Sequence, residues 1–132
     1  MSDATPKPIP TEAPSAAERS TDFRTYYANN ILFESTAWDM KLTFGHIDRA
    51  TAPLLVMNDC SVTIPWPQAK LALFWLRLHV EMAEAEIEGK IPIRKDLLPL
   101  ELPETLSGLD EVAAQRFREV YQRIRAEFLK MT

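Results

Sequence analysis

The chain has 132 residues, enough for one domain with a hydrophobic core of its own. Apolar residues make up 46% and charged residues 26%, which excludes a collagenous, disulfide-stapled or wholly disordered chain. A formal net charge of −4 argues against a nucleic-acid footprint, and the single cysteine, Cys60, forms no internal disulfide.

Residues 1 to 22 read as a proline-rich, disordered tail. Pro6, Pro8, Pro10 and Pro14 lie there among Ala, Ser, Thr and Glu, with Ile9 the only large aliphatic residue after Met1. Such a segment cannot offset its ordering entropy by burial. A short linear motif for a partner is one reading, and a solubilising tail is the one composition favours. No apolar core of signal-peptide length appears in the tail. The strongest apolar run, "LALFWL" at 71–76, is too short to span a bilayer. The expectation is a cytoplasmic protein without membrane insertion.

Residues 23 to 132 read as a single α+β domain. Strands are predicted over 23–34 and 38–47, joined by a turn at "EST" (34–36) and closed by Gly45. In the second strand Trp38, Met40, Leu42 and Phe44 alternate with Asp39, Lys41 and Thr43, as a half-buried antiparallel strand requires. Asn29 and Asn30 interrupt the first strand and read as a bulge or edge device, because asparagine tolerates unusual backbone angles. "PLLVM" (53–57), a turn-like "NDC" and a strand at 61–64 follow. The sum is an antiparallel sheet of three to four strands.

A long helix comes next, with Pro67 at its first position and Gly89 as its left-handed C-cap. Lys70, Arg77, Glu81, Glu84 and Glu88 fall on one narrow stripe at 100° per residue, and nearly everything else is apolar. So wide an apolar arc predicts two neighbours, the chain's own sheet and a second protein surface. Beyond Gly89, Pro92, Pro99 and Pro103 forbid a continuous helix and predict extended backbone. A second helix is predicted from a capping box near Ser107–Asp110 to about residue 130, with a stripe of Phe117, Val120, Tyr121, Ile124, Phe128 and Met131. Arg116, Arg118, Arg123, Arg125 and Lys130 make this helix basic.

Candidate chemistry is sparse. His46, Asp48, Asp59 and Cys60 have metal-binding atoms without diagnostic spacing, so a polar turn is the better reading and no metal is expected. The serines lie in no nucleophile-elbow context, and three glycines in all exclude a phosphate-cradling loop. No catalytic residue or cofactor is therefore expected. His79 and Glu86 sit opposite the charged stripe of the long helix, flanked by Trp75 and Met82. They read as a polar contact at a helix–helix interface, across a symmetric dimer for instance, or else as an acid/base pair in a pocket. Two turns apart, they are out of reach of one another within one helix. The many large rings, Trp38, Trp66 and Trp75 among them, point to sheet–helix packing or to an exposed apolar interface.

Two resemblances rest on these residues. Tyr27, Ala28, Asn29, Trp38, Asp39, Leu42, Phe44, Gly45, Pro67, Ala69 and Lys70 resemble the pattern of an uncharacterised family of small bacterial proteins. Trp66 stands where that family tends to have serine, so the usual side-chain N-cap is missing. "IPWPQAKLAL", the long helix, "GKIPIRKDLLPLEL" and the final helix are similar to the C-terminal half of the export chaperone SecB, as "YYANNILFE" is to its first strand. SecB has longer strands and a fuller middle region than 48–60 here. The resemblance implies an antiparallel sheet packed under one long helix, dimerisation through sheet edges and helices, and an apolar groove for unfolded clients.

The expectation is thus a non-enzymatic, homo-oligomeric protein-binding module, a SecB-like chaperone or export adaptor. Its partner would be another protein or an unfolded polypeptide. The interface residues would be Asn29, Asn30, Trp75, His79, Met82 and Glu86, with Trp38, Met40, Leu42 and Phe44 as the apolar sheet face. The alternatives are a structural subunit of a larger bacterial assembly and a small enzyme or ligand-binding protein using His79, Glu86 or His46.

Overall fold

The computed structural model describes residues 16–48, 50 and 53–132. Its contacts divide the chain into two compact units, Met1–Pro65 and Trp66–Thr132. The first holds a three-stranded antiparallel sheet, and the second holds a long helix and a C-terminal helix. The α+β class with these elements in this order is as the sequence predicts. Most of the expected tail, residues 1–15, lies outside the described residues. Residues 16–20 carry no regular structure, and a turn follows in which the Phe23 amide donates to the Ser20 carbonyl at 3.1 Å. The Arg19 guanidinium sits 4.8 Å from the centroid of the Phe23 ring.

The strands are β1 (Asn30–Ser35), β2 (Asp39–Asp48) and β3 (Leu55–Pro65), in the spatial order β1-β2-β3. Residues 23–28, predicted as the start of the first strand, form none. Trp38 falls outside β2, in the tight turn that joins it to β1. Thr36 makes that turn. Its hydroxyl accepts from the amides of Trp38 and Asp39, both at 3.1 Å, and donates to Asp39 Oδ1 at 2.8 Å. Local side-chain bonds of this kind favour turns over strand, so Trp38 leaves the ladder.

Gly45 does not close β2, and "NDC" is not a turn. Phe44 pairs with Cys60 but Gly45 pairs with Asn58, so Asp59 is an extra residue on β3 and the ladder continues past it to Asp48 and Leu55. This is a β-bulge. A Cβ on Gly45 would lie 2.5 Å from the Met57 carbonyl oxygen and 3.2 Å from Asn58 Cα. Glycine is required because the bulged backbone fills the space a side chain would take. One long strand therefore replaces the two short ones the sequence suggests.

Register and pleat place Ile31 and Phe33 of β1, Met40, Leu42 and Phe44 of β2, and Val62 and Ile64 of β3 on one face. Leu32, Glu34, Lys41, Thr43, Ser61 and Thr63 occupy the other. The central strand's apolar residues are half-buried by their neighbours, while Ile31, Phe33 and Val62 remain 44%, 60% and 48% exposed.

In the second unit, α1 spans Trp66–Ile87, so Pro67 occupies its second position. Its C-terminus departs from expectation. Glu88, not Gly89, takes the left-handed backbone, with φ of 53°. The Glu88 amide donates to Ala85 at 3.3 Å and the Gly89 amide to Glu84 at 3.1 Å, the paired bonds of a Schellman turn. The position that glycine usually fills is held by glutamate, one residue before the glycine. Glu84 Oε2 then accepts from the Ile91 amide at 2.8 Å and turns the chain away from the helix.

Helix α2 spans Glu111–Lys130. Its N-cap is Asp110, which accepts from the Ala113 amide at 2.7 Å; Ser107 plays no part in the cap. Gly108, at φ of 83°, makes the turn before it. The extended segment over residues 99–104 is strapped to α2 by three side chains. Arg118 donates to the carbonyls of Pro103 and Glu104 at 2.7 and 2.9 Å, Tyr121 to Leu100 at 2.6 Å, and Arg125 to Pro99 at 2.8 Å. The steps of three and four put all three donors on one face of α2.

Candidate functional site

What stands out in both units is uncovered apolar surface. No large apolar side chain among the described residues is fully buried; the one buried polar side chain is Thr43, at 9% exposure. Isolated exposed hydrophobes are ordinary, but contiguous apolar surface marks an interaction site.

Of the charged stripe predicted from the sequence, Lys70, Arg77, Glu81 and Glu84 lie on α1, with Arg77 and Glu81 paired at 3.4 Å, while Glu88 falls beyond the helix end. The rest of the helix, apart from Gln68, His79 and Glu86, is apolar and open: Trp75 is 54% exposed, Met82 57%, and Leu73, Phe74 and Leu76 similar or more. Phe74 and Trp75 meet edge to face, 5.1 Å between ring centroids. His79 and Glu86 are exposed on the side away from the stripe, and neither makes an ion pair or hydrogen bond with another described residue. The structure thus brings Trp75, His79, Met82 and Glu86 together as one helix face.

The predicted sheet face is present without Trp38. Met40, Leu42 and Phe44 share a face, joined by Ile31, Phe33, Val62 and Ile64 from the flanking strands. Trp38 is 84% exposed at the turn. Asn29 and Asn30 lie at the start of the edge strand β1, but neither forms a bulge, since the bulge is at Asp59 of β3. Asn29 extends the pairing: its amide donates to the Gly45 carbonyl at 3.0 Å, and its Oδ1 accepts from the Ile47 amide at 2.8 Å. The side chain replaces a backbone carbonyl where β1 runs out.

His46 is also drawn into the bulge, its Nδ1 2.8 Å from Asp59 Oδ2 in a half-exposed cross-strand pair. No cluster of three His, Cys, Asp or Glu able to hold a metal occurs among the described residues. A recess of about 250 Å³ beside the strap is lined by Glu101, Leu102, Tyr121, Gln122 and Arg125. It contains none of the interface, sheet-face or candidate catalytic residues read from the sequence. Sequence reasoning treated Arg118 and Arg125 only as part of a basic surface and Tyr121 only as part of an apolar stripe. The one available signal was their common face beside a proline-rich segment whose carbonyls lack a secondary-structure partner.

Among the described residues no helix is long and apolar enough to cross a membrane. Comparison with known proteins found no match: no family model, no curated protein and no solved structure aligns with the chain.

Proposed function

We propose that this chain is a non-enzymatic, homo-oligomeric protein-binding module of SecB-like type, a chaperone or export adaptor working in the cytoplasm. One observation carries the reading: beside its narrow charged stripe, α1 leaves a wide and mostly apolar surface exposed, interrupted by Gln68, His79 and Glu86. The second unit supplies no cover for it, since α1 and α2 share no extensive interface. The apolar face of the sheet offers a further surface of the kind that accepts extended, apolar polypeptide. The resemblance of "IPWPQAKLAL", the long helix and "GKIPIRKDLLPLEL" to the C-terminal half of SecB points the same way.

The test combines light scattering of the purified chain with titration of a reduced, permanently unfolded polypeptide carrying a fluorophore. An oligomer that binds the unfolded chain, and does not bind its folded form, supports the reading. A strict monomer without affinity for the unfolded chain overturns it.

A further inference from the structure

Opposite the charged stripe, six residues of α1 recur at alternating steps of four and three: Gln68, Ala72, Trp75, His79, Met82 and Glu86. This is the spacing of a helix–helix seam, and it runs nearly the full length of the helix. The seam is complementary to itself about the level of Arg77. Trp75 and His79 are equidistant from that level, as are Ala72 and Met82, and Gln68 and Glu86. The three pairs are an indole with an imidazole, a small side chain with a large one, and a carboxamide with a carboxylate.

We propose that α1 pairs antiparallel with α1 of a second copy of this chain, about a two-fold axis at the level of Arg77. The inference rests on the homo-oligomer proposed above and adds the surface, the direction and the register. A two-fold axis makes every contact occur twice, so a patch closes on itself only if its halves are complementary. In this register the Gln68 amide donates to the Glu86 carboxylate of the second copy at both ends of the seam. Met82 fills the space left by Ala72, and Trp75 lies against the second copy's His79 near the axis. The parallel arrangement sets Glu86 against Glu86 and His79 against His79, so charge complementarity selects the antiparallel one. Lys70, Arg77, Glu81 and Glu84 stay on the outer face in either copy.

Cross-linking of the full chain tests the register. In a Cys60→Ser background, Ala72→Cys and Met82→Cys chains are prepared separately, mixed through a refolding step and oxidised. The mixture is expected to form a disulfide-linked dimer. Each variant alone should not, because like positions lie ten residues out of register, about 15 Å along the axis. Disulfide dimers in the single variants and none specific to the mixture overturn the proposal. A second readout is the dimer dissociation constant. Gln68→Glu sets carboxylates against each other and is expected to weaken the dimer on the order of tenfold. Adding Glu86→Gln regenerates the same pair with roles exchanged and should restore the affinity to within about twofold. A double variant as weak as Gln68→Glu overturns the register. A dimeric wild type whose mixed Ala72→Cys and Met82→Cys variants give no cross-link removes this inference and leaves the homo-oligomer standing, whereas a monomeric wild type removes both.

Discussion

Helices α1 and α2 are nearly equal in length, 22 and 20 residues, yet they are finished in opposite ways. Helix α2 is capped by Asp110 and loaded along one face with the strap over residues 99–104. Helix α1 has no acidic residue in its first turn, no basic residue in its last, and a glutamate forced into the left-handed backbone at its end. One helix takes its partner from its own chain. The other presents apolar side chains around most of its circumference with no comparable partner in its unit. Helical stability comes mainly from tertiary packing of the apolar face, so α1 is the element whose stability should depend most on association.

The bulge in the sheet sets the scale against which both helices can be judged. Gly45→Val drives a side chain into the Met57 carbonyl and should destabilise the chain by about 2–3 kcal/mol in urea unfolding. A loss below about 0.5 kcal/mol would mean that the bulge is easily rearranged. The strap comes next. Tyr121→Phe together with Arg125→Ala removes two bonds to backbone carbonyls and should cost about 2 kcal/mol. Amide exchange after the double substitution should rise in the strap and α2 while α1 is unaffected. Equal acceleration in α1 would break the contrast between the helices.

The two ends provide smaller, opposite effects. Asp110→Ala removes the cap of α2 and should destabilise by about 1 kcal/mol in thermal unfolding. Glu88→Gly relieves the left-handed backbone at the end of α1 and should stabilise by roughly 1 kcal/mol. Gly89→Ala supplies the control. Its Cβ would meet nothing closer than the Ile87 carbonyl oxygen at 4.0 Å, so a change within about 0.5 kcal/mol is expected. A large loss at Gly89 with no gain at Glu88 would return the cap to the position the sequence suggests.

These outcomes follow the line between what was legible in advance and what was not. The alternation of Met40, Leu42 and Phe44 and the charged stripe of Lys70, Arg77, Glu81 and Glu84 on α1 were plain, because each reports a local periodicity. The helix face formed by Trp75, His79, Met82 and Glu86 was legible for the same reason. The strap was not, because its acceptors are main-chain carbonyls that any residue supplies, and its donors lie fourteen to twenty-six residues away. Glu88 was missed because glycine is the stronger local signal at a helix end, yet the register of α1 places the turn one residue earlier.

From the sequence alone come the α+β class, the two helices and the polarity of their faces, all consequences of repeating patterns within one element. The tertiary structure decided that Gly45 opposes a bulge rather than ending a strand, that "NDC" continues β3, and that Trp38 stands in a turn. It also decided that Arg118, Tyr121 and Arg125 hold a strap. Each of these depends on which backbone lies opposite which. Cross-strand register and hydrogen bonds to distant carbonyls arise only when segments meet, and no periodicity within a single segment encodes them.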